Sequence, residues 1–138
     1  MVYVLDANVI INYLKKDASV TKGFDYSVHE GHRLIIPRVV DYEICRGLDM
    51  SLASRKAAIY KDMTRPIPFG QCVVVDMGEK IWGIAKNIYV SLYKKGFTVG
   101  EIDILIAAFC LCHDCDLVTS NTKDFANIDG LRLTDWKN

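Results

Sequence analysis

Short apolar runs rich in β-branched residues recur along this chain, each separated from the next by a stretch patterned for a helix. Val2–Leu5, Leu34–Ile36, Cys72–Val75 and Asp116–Thr119 are the clear runs, and Leu131–Thr134 is a weaker fifth. A strand with one wet face alternates apolar and polar residues, whereas a strand covered on both faces is apolar nearly throughout. The clear runs are of the second kind. Between them Val9, Ile10, Tyr13 and Leu14 recur at helical spacing, and residues 39–48 and 51–63 read as two helices. Met77–Lys95 reads as a longer helix with Ile81, Ile84, Ile88 and Leu92 on one face, and Thr98–Cys112 is the most apolar segment. Strand and helix in alternation predict a three-layer α/β/α sandwich around a central parallel sheet of four to five strands. The punctuation agrees. Pro66, Pro68 and Gly70 break the chain before the third strand, and Lys94-Lys95-Gly96 closes the long helix with basic residues and a glycine. Thr98 and Glu101 have the spacing of a capping box that opens the next helix.

A chain of 138 residues, 51% of them hydrophobic, can bury a core without covalent staples. With no repeat or linker, residues 1–138 read as a single domain. No apolar run reaches the roughly 18 residues that span a bilayer. The first residues meet Asp6 and lack a basic region, so the chain reads as cytoplasmic, without a secretory signal or a membrane partner. Seventeen basic and seventeen acidic residues cancel, which excludes a protein that grips nucleic acid by bulk charge alone. The segment from Arg33 to Arg65 is nevertheless net +3, with Arg33, Arg38, Arg46, Arg55, Lys56, Lys61 and Arg65 against Asp41, Glu43, Asp49 and Asp62. An ordinary solvated helix face would account for that excess too. Five cysteines are an odd number and fit free thiols in a reducing compartment. Cys112 and Cys115 form a C-x-x-C, but a closed zinc site needs four ligands and no second pair exists. Cys110, inside an apolar run, reads as a small hydrophobe.

The chemistry lies in the acids. In a parallel sheet the binding crevice opens beyond the carboxyl ends of the strands. Asp6 ends the first strand and Asp76 the third; Thr119, Asn121 and Asp124 follow the fourth; Glu43 lies on the helix after the second. Asp103 interrupts Ile102-Asp103-Ile104-Leu105-Ile106-Ala107-Ala108-Phe109. A helix apolar on nearly every side is buried, and a buried carboxylate must be paired, protonated or metal-bound. Each acid has a plainer reading taken singly. Asp6 could cap a helix, Asp76 could cap the helix from Met77, Asp103 could help cap its own, Glu43 could be a surface residue and Asp124 a loop acid. Together, Asp6, Glu43, Asp103 and Asp124 would repel one another by about 4 kcal/mol per close pair. They would then need cations or raised pKa values. An all-oxygen set suits Mg²⁺ or Mn²⁺, and such an ion supports phosphodiester hydrolysis.

The segments VLDANVIINYL, YEICRG, FTVGEIDILIAA, LVTSNTKDF and GLRLTDW, in this order and spacing, resemble the PIN-domain nucleases, and among them the VapC toxins of toxin–antitoxin pairs. The resemblance runs the length of the chain. It implies a parallel sheet covered by helices and a Mg²⁺- or Mn²⁺-dependent endoribonuclease that leaves 5′-phosphate and 3′-hydroxyl ends. It also implies a homodimer and a small antitoxin partner that often inserts a basic side chain at the acids. By motif, Asp6, Glu43, Asp103 and Asp124 match the family's four acids. Asp6 and Asp103 would be direct ligands, with Glu43 and Asp124 completing the site. Asn8, Thr119 and Asn121 match supporting polar groups. Arg46, Arg55, Lys56 and Lys123 are candidate contacts to RNA phosphates, and the helical pair between residues 39 and 65 is the expected antitoxin surface. The chain departs from the family pattern at Val40, where Ser or Thr is frequent.

Three other readings compete. A catalytically inactive PIN scaffold could bind RNA or protein. A phosphoacceptor signalling domain could use Asp76 as acceptor, although no matching Lys follows on the late strands. A nucleotide-binding module would need a Gly-rich strand–loop–helix, which is missing from the sequence.

Overall fold

Successive residues of a strand point to opposite faces of the sheet. In β1 (Val2–Leu5) both Val4 and Leu5 are buried, and in β4 (Asp116–Val118) so are Leu117 and Val118. These strands are therefore covered on both sides, as their continuous apolar sequence requires. The computed structural model describes residues 1–137. β2 (Arg33–Pro37) and β3 (Cys72–Val75) extend the sheet on one side of β1, and β5 (Leu133–Thr134) follows β4 on the other. The order is β3-β2-β1-β4-β5, all parallel. The chain thus fills one side of β1 and then the other, which puts the topological switch point between β1 and β4. That is where an open parallel sheet forms its binding crevice.

The helices are α1 (Ala7–Leu14), α2 (Ala18–His29), α3 (Arg38–Ser51), α4 (Ser54–Met63), α5 (Glu79–Lys94), α6 (Glu101–His113) and the short α7 (Thr122–Phe125). α1 packs against α2 and α3, and α5 packs along α6. Val9, Ile10, Val40, Ile81, Ile106 and Phe109 meet the central strands in one continuous core. All five cysteines are free thiols, with Cys72, Cys110 and Cys115 buried. No helix among the described residues is long and apolar enough to cross a membrane.

Several expected boundaries move. The long helix starts at Glu79 rather than Met77, because Gly78 adopts φ +78°, a left-handed conformation that cannot continue a helix. Asp76 does not cap that helix. Its carboxylate accepts from Arg38 Nε at 2.8 Å. The capping box of Thr98 and Glu101 is not formed either; α6 opens at Glu101 with Gly100 as N-cap and no side-chain cap bond. The break between α3 and α4 falls at Leu52, φ +53°, three residues beyond the break that the sequence pattern places at 49–50. The weak fifth strand shortens to Leu133–Thr134. α2 and α7 were not anticipated from the sequence.

Candidate active site

β1 ends by handing Asp6 to the switch point. The Asp6 N–H still donates to the Val118 carbonyl of β4 at 3.0 Å, and then the backbone turns into α1. Asp6 is the N-cap of α1: its Oδ1 accepts from the Ala7 N–H at 2.7 Å. The cap reading and the site reading are therefore both realised by one side chain. Its Oδ2 accepts from the Thr119 hydroxyl at 2.8 Å and from Asn8 Nδ2 at 3.1 Å. Three donors around a side chain only 4% exposed suit a carboxylate, and they leave one lone-pair direction on Oδ1 open. Burial still dominates and pushes Asp6 above its ordinary carboxyl value. The Thr119, Ala7 and Asn8 hydrogen bonds pull the other way, and Asp124 adds repulsion.

Thr119 saturates its hydroxyl. It donates to Asp6 and accepts from Asn8 Nδ2 at 3.3 Å and from the Asn121 N–H at 3.0 Å. Asn8 spends both ends of its amide as a brace, since its Oδ1 also accepts from the Ser120 N–H at 3.2 Å. The β1–α1 turn and the β4–α7 loop are thereby fastened together across more than a hundred residues of sequence. Asn121 joins this network through its backbone N–H and, as N-cap of α7, makes no side-chain cap bond. The supporting polar role that the sequence assigns to it is met here by its backbone N–H.

Asp103 lies in the first turn of α6, at the positive end of the helix dipole. It is half-buried, and its carboxyl is pushed up to about 6, first by burial and then by Asp6 and Asp124. Glu43 projects from α3. Burial raises its carboxyl first, followed by the charges of Asp6 and Asp103, while Arg46 favours its ionised form. Asp124, on α7, is exposed but acts on both Asp6 and Asp103. The four acids therefore meet in one electrostatic neighbourhood with Asp6 and Asp103 at its centre. They converge without closing. Among the described residues, no three His, Cys, Asp or Glu side chains stand as a ready-made ion cage.

The basic candidates separate. Arg46 stays within charge reach of Glu43 and stacks on Tyr42, its guanidinium carbon 5.0 Å from the ring centre. Arg55 and Lys56 open α4 and share a cavity of about 510 Å³ with Lys15 and Lys16 from the end of α1. Lys123 is exposed on α7 beside Asp124. Sequence reasoning missed Lys15, Lys16 and Tyr42; the signal for the first two was the Lys-Lys pair ending the first helical pattern. A second cavity, of about 290 Å³, runs from Glu43 between Ile11 and Leu14 of α1 and Ile44 and Leu48 of α3, with Lys56 on its wall. Val40 is fully buried. The α3 segment around it is held instead by Asp41, which accepts from the Tyr60 hydroxyl of α4 at 2.7 Å and from Arg38 at 3.1 Å.

Residues 3–131 match the PIN domain family. The chain belongs to the PIN-domain family, and within it to the VapC group. It is 31% identical over 137 residues to Ribonuclease VapC1 of Rickettsia felis, covering 94% of this chain and 92% of that protein. It is 29% identical over 136 residues to the tRNA(fMet)-specific endonuclease VapC of Shigella flexneri, covering 97% of each. The structure of DNA-bound VapBC from Salmonella typhimurium superposes with a TM-score of 0.84 at 26% identity, over 99% of this chain and 98% of that one. VapBC2 of Rickettsia felis, bound to a DNA fragment from its promoter, also gives 0.84, at 23% identity over 99% of each chain, and shares the fold.

Proposed function

We propose that this chain is an endoribonuclease dependent on Mg²⁺ or Mn²⁺, that it is the toxin of a toxin–antitoxin pair, and that it works as a homodimer. The observation that carries the reading is the meeting of Asp6, Glu43, Asp103 and Asp124, from four distant segments, at the switch point of the sheet. The donor set is all oxygen, and three of the four carboxyls are held above their ordinary values, largely by burial and mutual repulsion. Such a set fits a hard divalent cation. Asp6 and Asp103 would hold it, with Glu43 and Asp124 completing the site. When bound, the ion lowers the pKa of water and neutralises charge on a phosphoryl oxygen. The chain's own residues do the rest. Thr119 and Asn8 hold Asp6 in one orientation. Glu43, its carboxyl raised by burial and by the charges of Asp6 and Asp103, would accept a proton from the attacking water. Arg46 and the Lys15, Lys16, Arg55 and Lys56 cluster supply positive charge for the RNA backbone.

The names of the relatives support the ribonuclease and toxin reading, and the VapBC complexes support an antitoxin partner. The apolar cavity leading to Glu43 would receive an amphipathic segment of that partner, with a basic side chain reaching the acids. Exposed Trp82, Tyr89 and Val90 on α5, together with Leu105 of α6, line a further cavity of about 270 Å³. There we place the contact with a second copy. A binding-only scaffold on the same fold is the alternative to be separated from it. Incubating the protein with total cellular RNA separates the two. The wild type should yield fragments with Mg²⁺ and none with EDTA, and Asp103→Asn should lose at least a hundredfold in rate. Equal cleavage by that variant removes the mechanism, and no cleavage under any metal condition favours the scaffold.

A further inference from the structure

Four cations line one cavity without a counter-charge. Lys15 and Lys16 leave the end of α1, and Arg55 and Lys56 open α4, around a space of about 510 Å³ that Ser54 also lines. No carboxylate is among the lining residues, and none of the four cations makes an ion pair among the described residues. Two of them sit where stability alone would not put them. The first turn of an α-helix is its positive end, which favours acids and a side-chain cap. α4 has no acid in its first turn and no side-chain cap bond, and carries Arg55 and Lys56 there instead. Lys15 and Lys16 suit the negative end of their own helix, yet they bring two more positive charges to the same space. Lys16 also takes the left-handed position after α1, φ +64°, which glycine fills at less cost. Like charges gathered at an uncapped helix start repel one another, and an anion entering the cavity relieves that repulsion.

A singly charged anion would be held weakly in so open a space, because exposed ion pairs contribute little. Cations from two helices reward a ligand that carries several charges close together. The planar fork of arginine and the free N–H groups of a helix start both match phosphate oxygens. We infer that this cavity is a site for linked phosphates, separate from the four acids and independent of their metal. The eight residues of α1 set it roughly 12 Å from Asp6, and Lys15 and Lys56 also line the cavity that runs to Glu43. Two sources supply this chemistry, a free polyphosphate and successive phosphates of an RNA strand. The second rests on the ribonuclease reading, and under it the two compete for the chain.

Calorimetry with inorganic tripolyphosphate in EDTA tests the site with neither metal nor RNA present. The full chain should bind one equivalent, and should bind inorganic phosphate about tenfold more weakly. Lys16→Gln combined with Arg55→Gln should weaken tripolyphosphate by about five- to thirtyfold, a loss that shrinks as salt rises. Lys22→Gln combined with Lys80→Gln removes the same charge from exposed positions outside the cavity and should leave binding within about twofold at physiological salt. Arg55→Gln alone should unfold no lower than the parent, because the charge it removes opposes the α4 dipole. The inference is overturned if tripolyphosphate does not bind, or if the outside pair loses as much as the cavity pair. It is overturned too if a tetraglutamate peptide binds as tightly, which would make the cavity a surface for an acidic protein. A second arm names the source. A labelled single-stranded RNA is mixed with the Asp103→Asn chain in EDTA and titrated with tripolyphosphate. Displacement that the cavity pair abolishes assigns the site to the RNA backbone as well; RNA that stays bound leaves the free polyphosphate as its occupant. A chain that binds tripolyphosphate here and cuts no RNA keeps the site and loses the ribonuclease reading. One that cuts RNA and ignores tripolyphosphate does the opposite.

Discussion

A carboxyl raised above its unfolded value costs the fold stability wherever it must ionise, and Asp103 shows the sign plainly. Its proton is held to about pH 6 in the folded chain, against an ordinary value of 3.8. Between those two pH values the native state binds more protons than the unfolded one, so stability falls as pH rises. The penalty is absent below about pH 4 and fully present above about pH 6. Asp103→Asn removes it. In chelator at pH 7 the variant should be more stable than the wild type by about 1 kcal/mol, a figure discounted for the half-exposed side chain. The two should coincide at pH 4. Thermal unfolding at both pH values checks this, and Mg²⁺ should reverse the order at pH 7 by stabilising the wild type alone. A variant less stable at pH 7 in chelator would mean that the acids do not repel. Asp103 was legible in the sequence because an acid inside Ile102–Phe109 has no inexpensive place to go. Thr119 was legible as a supporting polar group only through family resemblance, and its bond to Asp6 was not, since no local pattern links residues 113 positions apart.

Elements were legible where a run was continuously apolar or where apolar residues recurred at helical spacing over several turns. The strands and α6 show as nearly unbroken apolar runs, and α1, α3, α4 and α5 as helical patterns. α2 has Gly23 at its middle and Ser19, Thr21 and Ser27 along its length, so helix propensity does not signal it. The reason for that glycine is tertiary. A Cβ at residue 23 would stand 2.5 Å from Trp136 Cγ, so the Trp136 ring uses the space that a side chain would fill. α5 also has an interior glycine, Gly83, where a Cβ would meet nothing within 4 Å. The two sites make opposite predictions from the same substitution. Gly83→Ala should stabilise by about 0.5–1 kcal/mol, the helix propensity gain. Gly23→Ala should destabilise by about 1–3 kcal/mol, the range for overpacking, despite the same gain. Urea unfolding of the two variants measures both. A stabilising Gly23→Ala would show that Trp136 yields at no cost and that its packing on α2 does not hold the chain end. The misplaced start of α5 has a similar cause: the Arg38–Asp76 pair acts across elements, where a local capping pattern cannot see it, and Gly78 adds a positive φ.

For the molecule as a whole, the alternation of runs was enough to predict a parallel sheet, but it could not order the strands. The order β3-β2-β1-β4-β5 is what converts scattered acids into one site, because it places the exits of β1 and β4 side by side. The same arrangement leaves α5 and α6 paired with each other, and α5 still exposes Trp82, Tyr89, Val90 and Tyr93. With seventeen charges of each sign, no net repulsion keeps two copies apart, and contiguous exposed apolar surface marks an interaction site. A second copy is the occupant proposed for this face. Sedimentation at micromolar concentration should therefore give twice the 15.6 kDa chain mass. Trp82→Glu combined with Tyr89→Glu should return the mass of one chain with helical content intact, since both residues are more than 45% exposed and contribute little to the fold of a single copy. A wild type that sediments as one chain, or a dimer that survives the double substitution, would move the contact to another face or remove it.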